Sequence, residues 1–264
     1  MSMKRTVLAA AMLLAAGAAA HSASSDRVGV EGGAVRLVMS SEPDAQGRLR
    51  GALEVDLEPG WKTYWLEPGG SGVPPSVEVS AGGQAVRTEI GFPAPQRHRD
   101  GGDVWAGYDR PVSFALTMEP PAGATVLDAS VFLGVCEDIC IPVKADFRID
   151  TAAQASVADD EQVVDEAFAD LPPAPREGFR VIDARANGQT LEVRAETPAG
   201  DAPVDLFLAS SAGPVLGTPV GEAANGGTLF SVPLLAALDG EASQLRYTLV
   251  VGEDAVAGII RIAP

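Results

Sequence analysis

The chain is short of the residues that most protein chemistry uses. Its 264 residues include only 2 cysteines and 2 histidines, and 19 Lys and Arg stand against 36 Asp and Glu, for a formal net charge of −17. A surface this acidic is not drawn to nucleic acid or anionic lipid, and solubility is the plain use of the charge. Zinc needs more ligands than two thiolates, and His21 and His98 are the only imidazoles that could add them. There is no phosphate-binding loop, no nucleophile elbow and no clear internal repeat. After the first residues no apolar run reaches the roughly 20 residues that a membrane helix needs. No Cys, His or Trp follows residue 175. What chemistry the chain has is therefore confined to its first two-thirds.

The opening "MSMKRTVLAAAMLLAAGAAAHSASS" has Lys4 and Arg5 ahead of an apolar run from Val7 to about Ala20, with small residues at Ala18 and Ala20. This is the layout of a secretory signal peptide, cut after Ala20 or a few residues later. Residues 1–20 are therefore expected to be removed, leaving a periplasmic chain with no membrane span. Two cysteines in an oxidising compartment can pair with each other and leave no odd thiol.

The remainder is rich in Gly (29) and Pro (20) and in short alternating runs, which predicts an all-β protein. "AVRLVMSS", "GRLRGALEVDLEPG", "RPVSFALTMEP" and a strand pair turning at Gly82-Gly83 read as half-buried strands. "EPGGSGVPPS" (67–76) reads as a loop unsuited to helix or central strand, and "HRDGGDVWAG" (98–107) as a mobile loop. A helix is predicted over "SVADDEQVVDEAFADLPPAP", with Val163, Val164, Ala167, Phe168 and Leu171 on one face, acids in its first turn and Pro172-Pro173 to stop it. Strands then resume, with a hairpin around Asn187-Gly188. The expected division is residues 21–175 for one immunoglobulin-like β-sandwich domain and residues 176–264 for a second, smaller one, joined by that helix. A single domain with an inserted helix is the alternative.

The stretch "GVCEDICIPV" holds both cysteines, Cys136 and Cys140, three residues apart. Upstream, Val131, Leu133 and Val135 share a face. Downstream, Ile141, Val143, Ala145, Phe147 and Ile149 do the same. With side chains alternating, both cysteines lie on the other face. A tight hairpin through Glu137-Asp138-Ile139 sets Cys136 opposite Cys140, with Cα atoms roughly 4.5–5.5 Å apart, so a disulfide closes without moving the sheet. As a staple it would contribute little, because so small a loop removes little chain entropy. The residues alone leave three roles open: a redox pair, a structural disulfide, or two soft thiolates for Cu(I).

Four stretches carry a resemblance: "GWKTYWLEPGGSGVPPSV" (Gly60 to Val77), "FPAPQRHRDGG" (Phe92 to Gly102), Gly107-Tyr108 and "CEDICIPV" (Cys136 to Val143). In this order they resemble the N-terminal periplasmic domain of the thiol:disulfide interchange protein DsbD, and more narrowly its variant in the suppressor-of-copper-sensitivity B proteins. The resemblance covers about residues 30 to 175. It implies an immunoglobulin-like domain with the cysteine pair at one end under a flexible cap loop, in whose place residues 98 to 107 fall. Trp61, Tyr64 and Trp65 match the family's aromatic motif, with core packing the plainer role for each. It also implies a second immunoglobulin-like domain, and roles in thiol exchange linked to cytochrome c biogenesis or copper tolerance. The membrane and thioredoxin-like domains of full-length DsbD have no counterpart in these residues.

The combined reading is periplasmic thiol:disulfide interchange, with Cys136 and Cys140 as the exchanging pair and neither cofactor nor metal. An inner-membrane electron carrier is the expected donor, and thioredoxin-like periplasmic proteins are the expected acceptors. A non-enzymatic binding module with a structural disulfide is one rival, and a copper-handling protein is the other.

Overall fold

The computed structural model describes residues 24–40, 42–70, 72–100, 102–151, 158–210, 216–224, 226–236 and 244–263. The predicted signal peptide, its cleavage site and His21 lie outside them. Among the described residues no helix is long and apolar enough to cross a membrane.

The first domain is built on one eight-stranded sheet of β1 (Val28–Val30), β2 (Gly33–Met39), β3 (Leu49–Leu57), β9 (Val112–Glu119), β6 (Gln84–Gly91), β5 (Ser76–Ala81), β10 (Val126–Cys136) and β11 (Cys140–Asp150), in that spatial order. Alternation does the sorting. Val35, Leu37 and Met39 of β2, Leu53 and Val55 of β3, and Phe114 and Leu116 of β9 share one core with Leu127, Val131, Leu133 and Val135 of β10. From β11 the same core takes Val143, Ala145, Phe147 and Ile149. The apolar face read from the sequence on either side of the cysteines is thus a sandwich interior, Ile141 alone lying at its margin. At Gly82 and Gly83 the chain turns with φ of 56° and 81°, which glycine adopts without a Cβ clash.

A second, three-stranded sheet runs β4 (Thr63–Gly69), β8 (Asp103–Tyr108), β7 (Gln96–Asp100). Two expectations are corrected here. Residues 98–107 are not a loop: they are most of the β7–β8 hairpin, in register from Gln96↔Gly107 to Asp100↔Asp103. The stacking of His98 on Trp105 and the burial of Trp105 through Tyr108 outweigh the Gly101-Gly102 turn signal that suggested a loop. Likewise the 67–76 stretch is strand as far as Gly69, because β4 is an edge strand with a register shift between Tyr64 and Gly69, where Pro68 costs no ladder bond.

The predicted helix is α1 (Ala158–Ala169). Its fully buried Val164 and Ala167 sit with Val38, Ala52 and Ala115, on the outward faces of β2, β3 and β9. Alanines there leave room for a helix, and Gly91 leaves room for Leu171, whose methyl would lie 2.9 Å from a Cβ at that position. Arg36 anchors the first turn through Asp160 (2.6 Å), and Arg50 lies 4.1 Å over the Phe168 ring while bonding Asp165.

The second domain is a seven-stranded arrangement of β14 (Val204–Ser210), β17 (Gln244–Val251), β18 (Asp254–Ala263), β12 (Arg180–Asn187), β13 (Thr190–Glu196), β16 (Gly227–Pro233) and β15 (Val220–Ala224). Its own core includes Phe179, Leu191, Val193, Phe230, Leu245 and Leu249. The first hairpin turns one residue later than read: Asn187 pairs with Thr190, so Gly188-Gln189 make the turn, with Gly188 at φ 61°. The molecule is therefore all-β, an immunoglobulin-like β-sandwich followed by a smaller β-sandwich, with one short connecting helix.

Two local features shape the cysteine hairpin and the sheet beside it. β11 is an edge strand, and Pro142 on it pairs with Gly134, whose own N–H turns away to Val73 O (3.3 Å). The missing N–H of Pro142 therefore faces off the sheet, where the ladder needs no donor. At Gly107, a Cβ would come within 2.2 Å of Thr63 O, because β8 crosses β4 backbone to backbone. Gly107→Ala is expected to destabilise the protein by about 1–3 kcal/mol, as overpacking against unyielding backbone does; a melt unchanged from the parent would show that β4 yields instead.

Candidate functional site

The register of β10 on β11 runs without interruption to Cys136↔Cys140, and the two sulfurs are bonded, with Cα atoms 4.1 Å apart. The hairpin pairing read from the sequence is present, slightly tighter than the expected spacing. Glu137, Asp138 and Ile139 form its tip, all exposed.

The cysteines differ in what covers them. Both leave the Val/Leu/Ile face, as alternation requires, but the opposite side is open only at Cys140. Cys136 is 1% exposed. The expectation that both point outward is corrected for Cys136, because the three-stranded sheet closes over it. The closure starts with backbone: Lys62 N–H donates to Cys136 O (2.8 Å) and Cys136 N–H donates to Lys62 O (2.9 Å). Thr63, fully buried, adds its hydroxyl to Gly134 O (2.9 Å). The next residue is then aimed at the sulfurs.

That residue is Tyr64. Its hydroxyl lies 3.0 Å from Cys136 Sγ and 3.1 Å from Cys140 Sγ. Disulfide sulfurs carry no hydrogen, so the phenol is the donor and its one proton is shared between them. The ring fits a slot made by glycines. A Cβ on Gly72 would lie 2.6 Å from the Tyr64 ring and one on Gly134 3.4 Å from it. The Gly/Pro stretch after β4 is in this sense part of the site. Tyr64, Trp105 and Cys136 form a small buried cluster apart from the main core. Trp105 meets Tyr64 edge-on (5.9 Å, 79°) and is stacked flat on His98 (3.9 Å, 9°), with Lys62 Nζ 4.8 Å over its ring.

Other motif residues serve the scaffold. Trp61 lies against Gly32, where a Cβ would be 2.1 Å from the indole and φ is +79°. Trp65 is buried in the main core, and Tyr108 donates to Pro93 O (2.8 Å), burial pushing its pKa well up. Burial also raises Glu67, half-buried at the far end of β4, against a lowering hydrogen bond from Gly69. Among the described residues no group of three or more His, Cys, Asp or Glu is gathered to hold a metal. Sequence reasoning marked Tyr64 only as an aromatic match and passed over Trp105 and Lys62. No sequence signal singled out Tyr64: it is two residues from Lys62, whose backbone bridges Cys136, but that bridge joins residues 74 positions apart and no local pattern announces it.

The site is thus a disulfide at the tip of an immunoglobulin-like domain under an aromatic cover. Residues 34–152 match the family model described as thiol:disulfide interchange protein DsbD, N-terminal. The chain is also similar to the crystal structure of the N-terminal periplasmic domain of ScsB from Proteus mirabilis, with TM-score 0.75 and 21% identity over 92% of this chain and 99% of that one. That likeness extends through both β domains. Alignments to tandem immunoglobulin domains of titin (11% identity, 86% of this chain and 94% of that one) and of the Drosophila receptor protein tyrosine phosphatase DLAR (14%, 81% and 91%) have TM-scores of 0.20, too low to bear on the fold. No curated protein matches the sequence.

The shared hydroxyl makes a specific prediction. A phenol that donates weakly to a disulfide donates strongly to a thiolate, so it favours opening of the bond. Tyr64→Phe is expected to slow reduction by dithiothreitol about three- to tenfold, the equivalent of about 0.7–1.4 kcal/mol, as one hydrogen bond to a sulfur only partly charged in the transition state. Stopped-flow reduction with an unchanged rate would mean the hydroxyl does not reach the departing sulfur.

Proposed function

We propose that the protein is a periplasmic thiol:disulfide exchange protein that relays electron pairs between partner thiol proteins through Cys136 and Cys140. The observation that carries this reading is the asymmetry of the disulfide. One sulfur belongs to an exposed residue at the edge of a sheet, and the other is sealed beneath Tyr64 and Trp105.

The asymmetry supports a division of roles. A donor thiolate attacks Cys140 Sγ, the S–S bond breaks, and the electron pair leaves on Cys136 Sγ, where the Tyr64 hydroxyl stabilises the new thiolate. The donor's second thiol then attacks its own sulfur in the mixed disulfide and releases Cys140. Two electrons have moved and the pair is a dithiol. In the forward delivery step Cys140 attacks the acceptor's disulfide and Cys136 resolves the mixed disulfide. A structural crosslink gains nothing from one buried and one exposed sulfur, and a loop this short is a poor staple.

The family and the amino-terminal leader support a periplasmic setting, and the donor is then an inner-membrane carrier drawing on cytosolic thiols. Acceptors are oxidised proteins with thioredoxin-like sites, such as an isomerase or a peroxide-removing or cytochrome-maturation protein. Transfer runs downhill only to a higher potential, 30 mV being worth about 1.4 kcal/mol for two electrons.

In cells, Cys136→Ala is expected to accumulate mixed disulfides through Cys140, identifiable by mass spectrometry, whereas Cys140→Ala traps little. Equal trapping by both variants would overturn the role assignment. The purified pair is expected to equilibrate with glutathione buffers at a potential above about −300 mV. A clearly lower potential with no trapping by either variant would leave a structural disulfide.

A further inference from the structure

The three-stranded sheet has two faces, and they touch different things. On one face Tyr64, His98 and Trp105 gather at the disulfide. On the other, Trp65, Arg97 and Ala106, their immediate neighbours in β4, β7 and β8, turn toward the second domain. Alternation along a strand requires this division.

The second domain meets that far face with β14, a strand buried on both sides. Leu206 and Leu208 point into the second domain's own core, while Phe207 and Ala209 enter the core of the first. Phe207 stands edge-on to Trp65 (5.7 Å, 65°). Arg97 lies over the Phe207 ring (4.5 Å), and one edge of its guanidinium forks onto Asp205: Nε to Oδ2 at 2.9 Å and Nη2 to Oδ1 at 3.0 Å. A further bond runs from Nη2 to Leu206 O (2.8 Å), and Asp205 Oδ1 is held in turn by Leu206 N–H (2.8 Å). The Arg97 side chain is only 13% exposed, so this fork is better shielded from water and salt than a surface ion pair.

We infer that the second domain is a brace for the cover over Cys136, with Asp205 and Phe207 as its positioning residues. This rests on reading Cys136 and Cys140 as an exchanging pair. Residues one apart in the same strands contact the sulfur cover and the second domain, so the sheet cannot tilt off Cys136 without dragging Arg97 and Trp65 across β14. Gripping one face of a thin sheet thus limits the motion of the other. The exposure of Cys136 becomes a quantity that the second domain sets, although that domain has no reactive group of its own.

The test uses the full chain, reduced, with iodoacetamide as probe and mass spectrometry to follow each cysteine separately. Asp205→Ala is expected to raise the alkylation rate of Cys136 about three- to tenfold, the shift in a cover-open population that loss of a charged hydrogen-bond fork produces, while Cys140 changes less than about twofold. Asp205→Asn, which keeps shape and some bonding, is expected to fall between, and a melt is recorded for both. An unchanged Cys136 rate in both variants overturns the brace. Equal acceleration of both cysteines also overturns it, since that is general loosening and not a local cover. The probe is a small reagent that needs no protein partner. Selective exposure of Cys136 together with failed trapping in cells would therefore retain the brace and sink the exchange reading.

Discussion

Two backbone hydrogen bonds between Lys62 and Cys136 tie the strand that carries the aromatic cover to the strand that carries the sulfur. Much else depends on that tie. With Lys62 fixed, strand alternation decides that Tyr64 faces the disulfide and Trp65 the second domain. With Tyr64 fixed, Gly72 must be glycine, because the ring occupies the space a Cβ would take, while a Cβ on Gly134 would press on Val73 (3.1 Å) and touch the ring (3.4 Å). Gly107 must be glycine too, since β8 lies on the backbone just before Tyr64. Energetically the bridge satisfies the N–H and C=O of a fully buried residue, groups that would otherwise cost about 1–3 kcal/mol each to leave unpaired. The cover is therefore part of how the hairpin end satisfies its own backbone.

The split of the sheet's two faces gives the molecule an unusual economy of contacts. Its main core does not stop at the domain boundary: Phe207 and Ala209 belong to it, although they are supplied by the second domain. The helix and its proline stop lie on a different side, on β2, β3 and β9, and Ala257 N–H of the second domain donates to Pro173 O at the exit (3.0 Å). The domains are thus joined at the linker and again at β14, two separate attachments that oppose a simple hinge.

Much of this was legible in the sequence wherever local pattern determines structure. Alternation in β2, β3, β10 and β11 marked the core face, and the Val163–Leu171 periodicity marked the helix. The Gly82-Gly83 turn and the opposition of Cys136 to Cys140 were readable for the same reason. What escaped were facts set by non-local packing. Residues 98–107 are polar and glycine-rich, so they read as loop, yet His98 and Trp105 pair across a hairpin whose stability comes from stacking on each other and on Tyr64. The burial of Cys136 escaped because its covering strand lies 74 residues away in the chain. Asp205 escaped because a lone acid on a strand resembles any solvated one until Arg97 is placed beside it.

An exposed strand edge carries a hazard of its own. β11 is the last strand of its sheet, and such an edge invites other strands to add on. Pro142 lies two residues from the sulfur with its absent N–H on that side, and Lys144, Asp146 and Arg148 succeed it at alternate, exposed positions. An incoming strand would find a missing donor at once and a row of charges after it. An exposed sulfur and a strand edge closed to continuous pairing thus sit side by side on β11.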